Sequence, residues 1–210
     1  MIKEQKNDMN MKKMILAAAL CMPLYAAAQN TWEMPEVTQK AQNPDAKYLA
    51  GAVPEENGRV IFKANIQAPG KSSAQIYGIM EEYLKKMTKE ANQTEQSRVA
   101  VADPDQHQLV GSYQEWLVFK KTALVTDQTR FFYVLVVNCF DGHAEVTMTN
   151  INYLYDEERS AMQYKAEEWI TDKEGLNKKQ DKLSRVSGKF RRKTIDRKDY
   201  LFNKLESLLK

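Results

Sequence analysis

Residues 58–84 read GRVIFKANIQAPGKSSAQIYGIMEEYL, and this stretch decides the fold of the chain. Apolar and polar residues alternate over 60–66, and a period of two predicts a β-strand. A Pro-Gly pair then ends the strand. Ser72 and Gln75 have the spacing of a capping box, and apolar residues at helical spacing follow them. The stretch therefore predicts a strand and then a Ser-capped amphipathic helix.

Downstream of this helix the sequence has the pattern of a β-meander. The β-prone segments are 98–102, 109–120, 129–138 and 144–155. Asp141 and Gly142 between the last two are the strongest hairpin signal in the chain. At about 3.3 Å per residue, the long segments suit a strongly curved antiparallel sheet. We predict an α+β fold in which one helix early in the chain and another late in it cover the concave face of this sheet.

The order of these elements resembles a family of unknown function from exported proteins of gut-type Gram-negative anaerobes. The core resemblance covers about 58–155 and begins with the stretch quoted above. The tail over 165–205, KAEEWITDKEGLNKKQDKLSRVSGKFRRKTIDRKDYLFNKL, also resembles the family. The family is described as having a TBP-like fold, after the TATA-binding protein, so the resemblance implies that topology. It implies no activity and no catalytic residue, because a fold does not determine a function.

The C-terminal part differs in composition from the meander. Residues 161–170 have a helical pattern, and Thr171 begins a second helical turn with capping-box spacing. We predict that the last helix begins near Asp196, as its N-cap, and docks on the core. The predicted organisation is a TBP-like α+β domain over 58–157 and a basic helical extension over 158–210.

The first 28 residues have the three parts of a secretory signal peptide. Lys12 and Lys13 precede an apolar run of 11 residues, and a small-residue cleavage site ends at Ala28. The run is too short to cross a bilayer as a helix, which takes about 20 residues. We therefore predict a periplasmic or secreted protein, cleaved after Ala28, with a leader over 29–57. Met11 is an alternative start, since a complete signal follows it.

Cysteine usage and charge exclude several classes of protein. Cys21 lies inside the signal, and Leu20 stands where a lipoprotein signal needs a small residue, so an ordinary signal is favoured over lipidation. Cleavage leaves Cys139 as the one cysteine, which excludes an intramolecular disulfide and favours a buried, inert thiol. Cleavage also lowers the formal net charge from +3 to +1. A protein so close to neutral has no global field that would draw it to nucleic acid or to a membrane.

No catalytic or metal-binding motif stands out. His107 and His143 are the 2 histidines of the chain and lie in predicted turns. Zinc sites need three or four convergent ligands, and neither HExxH nor CxxC occurs. Adjacent glutamates such as Glu81 and Glu82 point about 100° apart on a helix, so they do not converge on one bond. We expect no metal, no cofactor and no catalytic residue, and a protein that is not an enzyme.

Four cations around Phe190 form the most prominent polar feature: Lys189, Arg191, Arg192 and Lys193. We call residues 189–193 the basic segment. Arginine forks match phosphate geometry, so these cations are a candidate site for anionic lipid or acidic glycan of the cell envelope. Nucleic acid is not expected, because export separates the protein from the chromosome. The alternative is a structural arm in which Phe190 packs inward and the cations pair with acids of the chain.

Three functions stay open, and we favour the first. It is a binding module for an envelope partner or a small apolar ligand held between helix and sheet. The side chains suggested as the pocket lining are Met80, Met87, Met148, Tyr83, Tyr133, Trp116 and Phe119, with a packed core as the alternative. The second function is a structural or assembly factor that docks on an anionic surface through the basic segment. The third and weakest is an envelope hydrolase.

Overall fold

The structure is a computed structural model that describes residues 43–157 and 159–210. The predicted signal peptide, its cleavage site and the first part of the predicted leader lie outside these residues. The strands are β1 (Glu55–Glu56), β2 (Arg59–Val60), β3 (Phe62–Gln67), β4 (Arg98–Asp103), β5 (Gln108–Lys121), β6 (Thr126–Phe140), β7 (His143–Tyr155) and β8 (Met162–Lys165). The helices are α1 (Ser73–Met87), α2 (Ala166–Trp169), α3 (Asp172–Gly175) and α4 (Gly188–Leu209), and a 3₁₀ turn covers Ala46–Tyr48.

An antiparallel sheet of six strands forms the centre of the molecule. Its order is β3-β7-β6-β5-β4, and β8 pairs with the second half of β7. The pairing shifts register at three places, beside Val99, Val118 and Phe132. Such bulges bend a strand and increase its twist. The predicted α+β fold, with an antiparallel meander after the first helix and a helix at the C-terminal end, is confirmed.

The start of α1 is locked to the β6–β7 hairpin. Ser72 and Gln75 form the predicted capping box, in which the Ser72 side chain accepts from the Gln75 amide and the Gln75 side chain accepts from the Ser72 amide. Asp141 in the hairpin turn accepts from the Ser73 amide at 2.7 Å, and this bond lowers the pKa of the Asp141 carboxyl. Gly142 has a φ of 81°, which favours glycine. The turn therefore both reverses the chain and caps the helix.

The six-stranded sheet has a covered face and an open face. α1 and α4 pack on the covered face, where alternate side chains of β5, β6 and β7 are buried. Met80, Met87, Met148 and Tyr133 are at most 1% exposed and belong to this core. These side chains therefore follow the packed-core alternative. Trp116 projects from the opposite face, beside Arg130, so the structure does not bring it together with the buried methionines.

The remaining two residues of the suggested pocket lie at the margin of the core. Tyr83 is 7% exposed, and Phe119 is half-buried at the edge of the sheet with its ring 4.6 Å from that of Phe190. Tyr83 and Phe119 do not line either of the two open-face cavities described below. None of the helices in the described part of the chain has the length and apolar character that a membrane span requires.

Two local predictions for the C-terminal part are wrong, and the helical turn predicted to begin at Thr171 is present as α3. Residues 161–170 do not form one helix, because β8 pairs with β7 and leaves only four residues for α2. Thr171 is the N-cap of α3 but makes no side-chain capping bond. α4 begins at Gly188, with Ser187 as N-cap, and not near Asp196. The basic residues concealed this earlier start, since a sequence pattern does not show that an arginine is buried.

Residues 43–57 are folded against the domain, which corrects the predicted leader from residue 43 onward. Tyr48 is 1% exposed and its hydroxyl donates to Asp196 at 2.7 Å. β1 and β2 form a small hairpin whose Asn57-Gly58 turn has positive φ at both residues, as type I′ turns require. Burial of Tyr48 explains the correction, because one aromatic side chain offsets much of the entropy of ordering a short segment.

Candidate functional site

The open face of the sheet has an apolar centre. The strand register aligns side chains of neighbouring strands across this face. Val110 lies beside Val136, and Gln114 lies beside Phe132. The apolar side chains of this face are Val110, Trp116, Phe132, Val134, Val136 and Leu154, all partly exposed. No helix of the described residues packs on it, since α1 and α4 lie on the other side. Apolar side chains on this face therefore stay partly exposed within the described part of the chain.

A cavity of about 570 Å³ lies in the open face where β5, β6, β7 and β8 meet. Phe132, Val134 and Leu154 line its floor. Its polar side chains are the carboxamides Gln96, Gln114, Asn150, Asn152 and Gln163, with Ser112, Arg98, Lys165 and Glu168. We call it the amide cavity. The amide cavity therefore lies on the side of the sheet opposite α1 and α4.

A strained residue shapes the wall of the amide cavity. Asn150 in β7 has a φ of 53°, and it lies where the pairing of β6 with β7 shifts register. The Asn152 side chain donates to the Asn150 carbonyl at 2.9 Å, which supports the bulge from within. Bulges re-aim side chains and are frequent beside functional sites, and Asn tolerates left-handed backbone better than most residues. The bulge turns two neighbouring carboxamides into the same cavity.

A second cavity, of about 530 Å³, adjoins the amide cavity at Leu154. The guanidinium of Arg130 lies 4.9 Å from the centre of the Trp116 ring and pairs with Glu157, Nε to Oε1, at 2.8 Å. These contacts hold the indole and the guanidinium in one orientation. The two cavities are thus neighbours that share Leu154 in their linings.

The structure does not gather the cations of the basic segment on one exposed surface. The Arg191 side chain is 0% exposed. It donates to the carbonyls of Tyr48, Leu49 and Ile170 at 2.6 to 2.7 Å and to Asp172 at 2.7 Å. Arg191 thus fastens the N-terminal turn and the α2–α3 connection to α4.

Two further cations of the basic segment have acidic partners within the chain. Lys189 donates to Asp127 at 2.8 Å and to the Tyr155 hydroxyl at 2.9 Å. Burial lowers the pKa of the Lys189 ammonium, but these two bonds outweigh burial, so the pKa is raised. Arg192 pairs with Asp45, and Lys193 is half-buried. Phe190 is 1% exposed, so the segment has the arrangement that the structural-arm alternative describes. Anion binding by these cations stays a prediction.

Sequence reasoning missed a buried ion pair between α4 and the sheet. Arg197 and Glu115 have 0% exposed side chains and form a bidentate pair, with both N–O distances 2.7 Å. Glu115 also accepts from Asn92 at 3.1 Å. Burial raises the pKa of the Glu115 carboxyl, and Arg197 acts against that shift. The sequence did contain a hint of this burial. Glu115 alternates along β5 with the core residues Tyr113 and Leu117, so its side chain points to the same face as theirs.

The histidines and the cysteine lie apart from the open-face cavities. The His143 ring stacks on Phe140 at 4.9 Å, and the His107 ring lies 6.1 Å from that of Tyr77. Within residues 43–157 and 159–210, no group of three or more His, Cys, Asp or Glu side chains could hold a metal ion. Cys139 is 4% exposed, and burial raises the pKa of its thiol to about 11. A buried thiol that stays protonated at neutral pH is a poor nucleophile.

Comparison with known proteins identifies the family. Residues 62–154 match the family described as "Domain of unknown function (DUF4468) with TBP-like fold". The crystal structure of a DUF4468 family protein from Bacteroides ovatus is 40% identical to this chain, with a TM-score of 0.74 over 80% of this chain and 95% of that chain. The chain belongs to the DUF4468 family. The resemblance seen in the core sequence is thereby confirmed.

A second solved structure shows that the DUF4468 fold extends to more distant sequences. A TBP-like protein from Parabacteroides distasonis is 19% identical and has a TM-score of 0.59 over 75% of this chain and 96% of that chain. No curated protein matches the chain. Family membership therefore establishes the fold of the chain but assigns it no function.

Proposed function

We propose that this DUF4468 protein is an exported, non-enzymatic binding module of the bacterial envelope and that it binds through the open face of its sheet. The observation that carries the proposal is the amide cavity, an apolar floor surrounded by five carboxamides on an uncovered sheet. Ligand sites are typically concave, with an apolar lining and a few convergent polar groups. The secretory pattern of the first 28 residues supports an envelope location.

A rigid platform supports the open face from below. The Tyr113 and Tyr133 rings stack at 5.4 Å on the covered side, and Phe131 stacks on Tyr153 at 5.5 Å. The five strands around the cavity, β4 to β8, are each paired with a neighbour. Side chains on such elements keep their positions better than those on loops, which favours binding without a large ordering cost.

Binding within the core or through the basic segment has less support. The methionines between helix and sheet are packed at 0% exposure, so an apolar ligand would have to displace core side chains. Arg191 is 0% exposed, and an anionic surface would have to compete with Asp127 for Lys189 and with Asp45 for Arg192. These contacts favour a structural role for the tail.

Native mass spectrometry of the protein purified from its own envelope fraction tests the proposal. Ser112→Glu places a bulky charge in the cavity, and Ala74→Glu places the same side chain on the exposed first turn of α1. We expect a bound species with the wild type and with A74E, and loss of that species with S112E. We also expect the bound species to keep its mass during incubation, because the protein does not convert it.

Two results would contradict the proposed function. One is a clean ligand-free mass for the wild type. The other is equal occupancy in S112E and A74E, which would place binding elsewhere. A bound species whose mass changes with time would contradict the non-enzymatic part and return attention to a hydrolase.

A further inference from the structure

The charge of the amide cavity favours a ligand that is close to neutral. Its charged side chains are Arg98, Lys165 and Glu168, which leave a formal excess of one positive charge. Five carboxamides outnumber them. Sites for phosphate or carboxylate groups normally cluster several arginine forks, whereas Arg98 is the one arginine in this lining, and the helix start that borders the cavity, at Lys165, carries the acidic Glu168 in its first turn. The lining is therefore suited to many uncharged polar groups.

Recognition in the amide cavity has to use side chains and not the backbone. β6 pairs on both edges, with β5 and β7, and β7 pairs with β8 beside the cavity. The amides and carbonyls at the centre of the cavity are therefore occupied, and an added strand could pair only with the outer edges of β4 and β8 at its rim. Within the described residues, the side-chain amides of Gln114 and Gln163 have no hydrogen-bond partner and are available to a ligand.

The carboxamides select the chemical class of the ligand. A carboxamide presents a donor and an acceptor side by side, and sugar hydroxyls both donate and accept. An apolar ligand would cover five carboxamides without satisfying them, at a cost of about 1–3 kcal/mol for each group that loses water. The apolar floor of Phe132, Val134 and Leu154 suits the C–H face of a pyranose ring. Polar walls and an apolar floor together match a carbohydrate.

We infer that the amide cavity binds a neutral oligosaccharide, an inference that rests on the proposed function of the open face. The second cavity adjoins the amide cavity at Leu154 and brings the held Trp116 ring to its border. Two neighbouring cavities of about 570 and 530 Å³ favour a ligand with more than one sugar unit. The carboxamides hydrogen-bond to the hydroxyl groups, and the apolar side chains pack against the sugar rings.

Chemical-shift mapping by NMR tests the ligand class directly. Maltohexaose, cellohexaose, mannohexaose and N-acetylchitohexaose are titrated one at a time into the ¹⁵N-labelled protein to millimolar concentration. Side-chain NH₂ groups of Asn and Gln appear in the same spectra, so the cavity carboxamides report their own contacts. We expect saturable shifts at Gln114, Asn152 and Gln163 with at least one probe, and none at the exposed face of α1.

Gln114→Met keeps the length of the side chain and removes its donor and acceptor, and Gln67→Met makes the same change on the open face outside the cavity. We expect Q114M to weaken binding by about fivefold to tenfold and Q67M to leave it unchanged. If no probe shifts the cavity resonances, or if Q67M weakens binding as much as Q114M, the oligosaccharide inference is overturned. If S112E still abolishes binding of the copurified species in that case, the proposed function stands with another class of ligand.

Discussion

The open face and the basic segment are both rich in polar side chains, but they use them in opposite ways. In the basic segment, Lys189, Arg191 and Arg192 bond to acids and carbonyls of the same chain. On the open face, carboxamides such as Gln114 and Gln163 surround a cavity that no other part of the described structure fills. The comparison shows that density of charge along a sequence does not identify a binding surface. We therefore base the proposed binding surface on polar groups that the fold leaves without partners within the described residues.

Breaking the buried ion pair gives the largest expected effect. Arg197→Met leaves Glu115 buried without its bidentate partner, so we expect the free energy of unfolding to fall by about 3–5 kcal/mol. Urea denaturation measures the change. Lys204→Met on the exposed side of α4 is the matched control and should alter stability by less than about 0.5 kcal/mol.

A double variant separates the cost of the orphaned charge from the value of the pair. Arg197→Met combined with Glu115→Leu removes both charges, and we expect it to recover more than half of the lost stability. Stability that falls further in the double variant would show that the pair itself, and not the orphaned carboxylate, carries the effect.

The second-largest expected effect tests whether the basic segment has a structural role or a binding role. Arg191→Met removes the donors to the Tyr48, Leu49 and Ile170 carbonyls, so we expect a loss of about 2–3 kcal/mol. Hydrogen exchange should rise first in residues 46–51, which Arg191 holds against α4. Ligand binding by the open face should not change in the folded variant. Normal stability with lost binding would reverse the roles of the two regions.

A smaller effect is expected from the strained position in the cavity wall. Because Asn150 has a φ of 53°, Asn150→Ala should cost about 1–2 kcal/mol, whereas Asn150→Gly should be close to neutral. Thermal denaturation of the two variants compares them. If alanine and glycine have equal stability, the bulge is not strained and its role in shaping the cavity has to be reconsidered.

The smallest effect belongs to the exposed rim of the amide cavity. Gln163→Ala in β8 changes a side chain that is exposed and unpartnered within the described chain, so we expect a stability change within about 0.5 kcal/mol. Oligosaccharide affinity should fall by about fivefold to tenfold in the same variant. A variant that loses stability but keeps its affinity would show that Gln163 supports the fold and does not contact the ligand.

The fold could be predicted from the sequence where its signals are local. The capping box at Ser72, the Asp141-Gly142 turn and the period of two in β3 and β5 to β7 each lie within a few residues. The family resemblance agreed with them. β8 was not predicted because it has only four residues and forms a strand through its pairing with β7, which is a contact between distant parts of the sequence.

The start of α4 and the candidate site were harder to predict because both depend on distant contacts. Arg191 and Arg197 are buried in α4 only because carbonyls and acids from other elements surround them. The floor of the amide cavity combines side chains from β6 and β7 with walls from β4, β5 and β8, which no single segment reveals. Sequence reasoning therefore considered a pocket on the covered face, where the structure has the packed-core alternative, and did not find the cavity of the open face.

Photo-cross-linking in the native host tests the central claim most directly. A benzophenone amino acid replaces Val134 in the amide cavity, Arg185 in the exposed part of the basic tail, or Glu82 on the outer side of α1. Illumination of intact cells followed by mass spectrometry shows which position captures a neighbour. The account predicts a discrete adduct from position 134 and none of comparable yield from positions 185 and 82. An adduct from position 185 with nothing from position 134 would contradict it and make the basic tail the binding surface.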